Sequence, residues 1–278
     1  MKLTREEKNY LASLDSFVEE KGLREFYPEN CTALVDIARD ADAHVKGVTP
    51  ELISSPEIAR SLAKLSLYDI VLLLDDSSSM RTEENGLRIS ALHTFLKRIS
   101  AIARLFDPAG ISIRFINHDE EYDSVTDEAT INQIISEVSF DGGTMIGTML
   151  KNRIVDPLVV QPAQAKQLKK PVLIIMITDG QCAGTLKQTI TYALDALNQT
   201  DYTDAAVAFQ IAQVGSDRSA RAFINGLDSD PVVGHAFANV GEEGIERLEA
   251  SAEDEDFDHD LWLVKLMVGA VDKSDLEF

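Results

Sequence analysis

Ile70-Val71-Leu72-Leu73-Leu74 is an unbroken apolar run that stops on Asp75. Val172–Ile177 is a second continuous run, again ending near an Asp, and Gly110–Ile116 and Ala206–Val214 read as two further strands. A strand with one wet face would alternate apolar and polar residues. Runs this continuous need cover on both faces, which a parallel sheet sandwiched by helices provides. The intervening segments read as those helices. Leu92, Phe95, Leu96, Ile99, Ile102, Ala103 and Phe106 fall on one helical face within 86–106. Further helices are expected over 128–138, 145–156, 184–198, 217–227, 241–251 and 259–271, with a loop over 157–171 and an edge strand within 232–239. The expected fold class is α/β: a doubly wound, mostly parallel, Rossmann-like sheet with helices on both faces.

Ahead of this alternation the chain reads as helical, giving the fold an N-terminal helical extension. Thr4 and Glu7 have the spacing of a capping box, in which each side chain meets the other's backbone N–H. Tyr10, Leu11, Leu14, Phe17 and Val18 follow at helical spacing, and Gly22 ends the run. A second helix is expected over 31–46 with Leu34, Ile37 and Ala38 inward. A third starts at Ser55-Pro56 and turns Ile58, Leu62 and Leu65 to one side. The organisation expected is a 1–65 helical extension, a 66–272 α/β domain and a 273–278 tail.

Charge narrows the function. Asp and Glu total 47 against 26 Lys and Arg, a formal net charge of −21. That balance opposes tracking of a phosphate backbone, so no nucleic-acid partner is expected, and it opposes docking on an anionic membrane. No stretch reaches the roughly 18 apolar residues of a membrane span. The opening MKLTREEKNY has no apolar core of a signal peptide. Cys31 and Cys182 are the only cysteines, too few for a disulfide scaffold. The expected location is intracellular and cytoplasmic.

Ligand sites in open α/β sheets lie beyond the carboxyl ends of the strands. The first strand runs into Asp75-Asp76-Ser77-Ser78-Ser79, and the third apolar run into Thr178-Asp179-Gly180. Between them Asp141-Gly142-Gly143-Thr144 opens a helix. Asp75, Ser77, Ser79, Thr144 and Asp179 are all oxygen donors, without His or Cys. That set disfavours Zn2+ and suits a hard dication such as Mg2+, with Mn2+ or Ca2+ as alternatives. Alternation of Asp75, Ser77 and Ser79 lets an extended turn present three oxygens on one side. Two carboxylates neutralise a dication and no more, so the ion would stay electrophilic toward an anionic further ligand.

Asp75-x-Ser77-x-Ser79 after one buried strand, Gly142-Gly143-Thr144, then Thr178-Asp179-Gly180 after another resembles a von Willebrand factor type A domain over about residues 66–272. The Leu67-Tyr68-Asp69-Ile70-Val71 lead-in is most similar to intracellular members found in fungi and related to copines. The resemblance implies a metal-ion-dependent adhesion site with Asp75, Ser77, Ser79, Thr144 and Asp179 in its five positions. It implies metal-dependent protein–protein binding, with a partner supplying an Asp or Glu carboxylate, and no catalysis. Ser78 stands where such sites often have Gly.

Two other readings stay open. A Mg2+-dependent phosphohydrolase could use Asp75 as nucleophile, although Asp-x-Asp is replaced here by Asp-x-Ser and no phosphate loop or nucleophile elbow occurs. A scaffold could bind through its N-terminal helices. Secondary features are His118 with Asp119 as a base near the site, Cys182 at its mouth, and the basic spot Lys166, Lys169 and Lys170. The acidic run 253–260 is a possible internal carboxylate donor, and the last helix carries Trp262.

Overall fold

In the computed structural model, residues 2–47, 56–106, 109–180, 185–215, 217–239 and 265–272 are described. A six-stranded sheet has the order β3-β2-β1-β4-β5-β6. Its strands are β1 (Asp69–Leu74), β2 (Ile111–Phe115), β3 (Tyr122–Val125), β4 (Val172–Thr178), β5 (Val207–Gln213) and β6 (Phe237–Asn239). All neighbours pair parallel except β2 with β3. β1 holds the centre, with Leu72 opposite Ile113 on one side and Ile175 on the other. The chain builds outward from β1 to β3, then returns through β4 to build the other half. The order therefore reverses between β1 and β4, the place where such sheets open a ligand crevice.

Strand period divides the core in two. Ile70, Leu72 and Leu74 of β1 face one apolar cluster, while Val71 and Leu73 face the other. The first cluster is covered by α1 (Arg5–Glu20), α2 (Thr32–Gly47), α3 (Pro56–Ala63), α5 (Leu87–Phe106), α6 (Glu128–Glu137) and the segment 265–272. The short α4 (Ser78–Thr82) adds Met80 to it. The second cluster is covered by α7 (Ile146–Leu150), α9 (Leu186–Leu197) and α10 (Arg218–Asp228). This is the Rossmann-like α/β architecture expected, with helices on both faces and helices before the first strand.

The extension is built as its periodicity predicts. Thr4 and Glu7 form the reciprocal capping box, at 3.1 Å and 2.6 Å. Tyr10, Leu14, Phe17 and Val18 are buried in the same apolar cluster as β1 and α5. Tyr27 donates its hydroxyl to the Leu67 carbonyl at 2.6 Å, and buried Lys64 meets buried Asp272 at 2.6 Å. Hence α1–α3 form a layer over one sheet face.

Two segments depart from expectation. The helix from Ile146 continues as a π-helical stretch, Lys151–Val160, into α8 (Gln161–Gln164), where the sequence suggested a loop from residue 157. Pro157 costs a helix interior about 3 kcal/mol. Val159, Val160 and Ala163 are fully or nearly fully buried against the sheet. At about 1.5–3 kcal/mol for each buried valine, their packing outweighs the proline. Likewise Tyr122–Val125, where no strand was expected, pairs on β2 as an edge strand. Only Phe237–Asn239 of the expected 232–239 strand joins the sheet. The expected 241–251 helix, the 253–260 acidic run, Cys182, Trp262, the Ser55 cap and the 273–278 tail lie outside the described residues. No described helix is long and apolar enough to cross a membrane.

Candidate metal centre

The carboxyl ends of β1 and β4 lie side by side, and backbone pairing continues one step past the strands. The Asp75 N–H donates to the Ile177 carbonyl at 2.9 Å. Asp75 and Asp179 therefore leave the sheet at adjacent positions, and neither carboxylate is exposed. Asp75 Oδ1 accepts from the Ser77 N–H at 2.9 Å, and its Oδ2 accepts from the Thr178 hydroxyl at 2.6 Å. Burial pushes the Asp75 carboxyl above its ordinary range; the Ser77 and Thr178 hydrogen bonds pull it back, and the Asp179 charge adds to the rise.

Ser77 occupies the N-cap position of α4 with extended backbone, yet its side chain caps nothing. Its hydroxyl instead lies 3.0 Å from that of Ser79. A serine here would ordinarily accept from the first helical turn. Two hydroxyls are thus left side by side next to a buried carboxylate.

Thr144 reaches the site through its loop. The Ser78 hydroxyl donates to Asp141 Oδ1 at 2.8 Å, and the Ser78 N–H donates to the Gly142 carbonyl at 3.2 Å. Gly142 has φ of +105°, and a Cβ there would come within 2.6 Å of the Asn117 side chain. Only glycine fits both the backbone and the space. Thr144, two residues on, is buried at 9% exposure. Ser78, in a position often taken by glycine, is the side chain that ties the two loops. The structure therefore brings Asp75, Ser77, Ser79 and Asp179 together at the carboxyl ends of β1 and β4, with the Thr144 loop tied to Ser78.

Three neighbours escaped the sequence reading. Asp76, buried beside Asp75, turns away from the crevice and accepts from the N–H groups of Asn117 (2.8 Å) and His118 (2.7 Å), holding the loop after β2. Thr178 was visible only as part of a Thr-Asp-Gly turn. Arg88, from the first turn of α5, is buried and donates to Asp179 Oδ2 at 2.9 Å. A lone arginine at the head of an amphipathic helix gives no sequence signal. His118 and Asp119 do not pair. The His118 ring stacks on Tyr122 with Nε2 3.1 Å from its hydroxyl, and Asp119 holds Arg153 at 2.6 Å. Lys166 pairs with Asp201, and Lys170 lies 3.8 Å from Asp69.

The family model of the von Willebrand factor type A domain matches residues 69–250, from the first residue of β1 to beyond β6. No curated protein matches the chain.

Proposed function

This chain belongs to the von Willebrand factor type A domain family, and we propose that it is a metal-dependent protein-binding module. Domains of this family commonly mediate protein–protein interaction, often through a divalent ion, and are generally not enzymes. Asp75, Ser77, Ser79, Thr144 and Asp179 would hold the ion, with Mg2+ as the resident metal. The observation that carries this reading is the Ser77–Ser79 hydroxyl pair, 3.0 Å apart and free of capping duty beside Asp75. Adjacent oxygens in an octahedron with bonds of about 2.0–2.1 Å lie about 2.9 Å apart, so the spacing suits two neighbouring Mg2+ ligands. The donor set is also all oxygen, as a hard dication requires. The ion would supply an electrophilic coordination position. The chain's own groups orient its ligands: Thr178 and the Ser77 N–H fix the Asp75 carboxylate, and Ser78 fixes the loop carrying Thr144.

A partner would offer an Asp or Glu carboxylate at that position. The chain's net charge of −21 disfavours a strongly acidic partner and favours one acidic anchor in a basic or apolar surround. The domain limits that go with this reading are 66–272 for the binding domain, preceded by the helical layer 1–65 and followed by the tail 273–278.

Thermal unfolding in EDTA and in millimolar Mg2+ or Mn2+ tests the reading, on wild type and Asp75→Ala. A ligand at 100 times its dissociation constant stabilises by about 2.7 kcal/mol. We expect a metal-dependent rise in wild type that is absent in the variant. No rise in wild type would refute the metal site and leave the helical layer as the binding element.

A further inference from the structure

Arg88 is 3% exposed, and both terminal nitrogens of its guanidinium meet carboxylates while its buried Nε has no hydrogen-bond partner among the described residues. Nη1 donates to Asp179 Oδ2 at 2.9 Å. Nη2 meets Glu84 Oε1 at 2.9 Å and Glu83 Oε2 at 2.8 Å. Gly215, just past β5 with φ of +79°, lies flat on the group; a Cβ there would come within 2.6 Å of Nε. Asp217, two residues further on, feels the Arg88 charge as well. The loop that presents the two glutamates is itself strained. Glu84 and Asn85 both adopt left-handed backbone, at φ of 51° and 55°, a conformation that costs about 1 kcal/mol or more per non-glycine residue.

This arrangement goes beyond bracing a helix. Two fully buried carboxylates stand at the carboxyl ends of β1 and β4, and each is satisfied differently. Asp75 takes neutral donors, a hydroxyl and an N–H. Asp179 takes a full positive charge. Burying a carboxylate without a counter-charge is expensive, so the metal-free chain needs this cation. A dication at the same carboxylates would meet the arginine as a like charge in a poorly solvated setting, where Coulomb interactions are strong.

We propose that Arg88 is the resident counter-cation of the crevice: it neutralises Asp179 when no metal is bound and sets the metal affinity by opposing the dication that replaces it. Glu83 and Glu84 moderate its charge, and the strained loop keeps them there. The inference rests on the metal-binding reading above. Metal entry is thereby a charge exchange at Asp179, and the site is held at moderate affinity, ready to respond to the metal level or to an added partner carboxylate.

Calorimetric titration of the full chain with Mn2+ and with Mg2+ tests this, using wild type, Arg88→Gln and Glu84→Gln, with unfolding scans in EDTA and in saturating Mn2+. Arg88→Gln should bind about tenfold more tightly or better, the low end of measured couplings between close charges. It should also unfold earlier than wild type in EDTA, with the gap narrowing in Mn2+. Glu84→Gln, at a partly exposed position that tolerates change, should bind several-fold more weakly. Equal or weaker binding by Arg88→Gln, or one constant stability deficit with and without metal, would make Arg88 a structural brace and overturn the proposal. If Arg88→Gln does not fold, unchanged affinity in Glu84→Gln overturns it. Binding by wild type with no shift in either variant refutes this inference alone; no binding by wild type or any variant refutes the metal site itself.

Discussion

Asp75 adds one component to the pH dependence of the metal-free chain. Its carboxyl is raised above the ordinary value of 3.8, chiefly by burial. The unfolded chain therefore releases this proton at lower pH than the folded one. Below 3.8 both states are protonated and Asp75 contributes no penalty; as pH rises through the folded value the buried charge opposes folding, and above it the penalty is complete. In EDTA, Asp75→Asn should lose this component, so its stability relative to wild type should be greater at pH 7 than near pH 4. Denaturant melts at the two pH values check this; a constant difference would mean that the Thr178 and Ser77 hydrogen bonds cancel the burial effect. The same residue shows what sequence carries at this scale. Asp75, Ser77, Ser79 and Asp179 could be picked out as candidates because oxygen donors followed expected strand ends, and the fold does bring them together. Arg88 and Asp76 were not, because their roles depend on which distant backbone or carboxylate the fold brings to them.

At the scale of elements, the crevice depends on how loops are tied to strands. Gly142→Ala would force an L side chain into a φ of +105° and drive Cβ into Asn117. The expected loss is about 1–3 kcal/mol, with weaker metal response because the Thr144 loop is displaced; an unchanged melting temperature would show that the loop relaxes freely. Far from the crevice, Lys64 and Asp272 clamp the helical layer to the C-terminal segment, with side chains 9% and 5% exposed. Asp272→Ala would take the buried carboxylate away from the Lys64 ammonium, and losses of this kind run to about 3–5 kcal/mol. The double change Lys64→Met, Asp272→Leu should recover most of it, since an apolar pair avoids the desolvation cost; equilibrium unfolding of the three variants decides. Strand and helix positions were readable from periodicity, because burial on two faces leaves continuous apolar runs and burial on one leaves a helical stripe. The π-helical stretch over Lys151–Val160 was hidden by Pro157. There tertiary burial overrides a local preference, and periodicity across a proline carries too little information to show it. The β3 edge strand was hidden by its composition, since exposed Asp123 and Ser124 carry no apolar signature.

Among the described residues one asymmetry organises the fold: one sheet face is covered by segments from three separate parts of the chain, the other by a run of successive helices. The first face includes α1, α2 and α3, whose Leu14, Phe17, Val18, Leu34 and Ala38 share a continuous core with Leu72, Phe95 and Ile113. A chain starting at residue 66 would expose that face of α5 and lose the Tyr27–Leu67 hydrogen bond. Five buried apolar side chains of this size represent on the order of 10 kcal/mol of transfer free energy, comparable to the whole stability of a typical domain. Such a chain is therefore expected to lose its cooperative unfolding transition and expose apolar surface to a hydrophobic dye, even in saturating Mn2+. A sharp transition retained at a similar temperature would instead establish 66–272 as a self-sufficient unit with the helices as an added layer. The outcome bears on function as well as stability. If the helical layer is integral, its apolar stripes are already spent on the core, which favours the proposed binding site at the carboxyl ends of β1 and β4 over the helical layer as the contact surface.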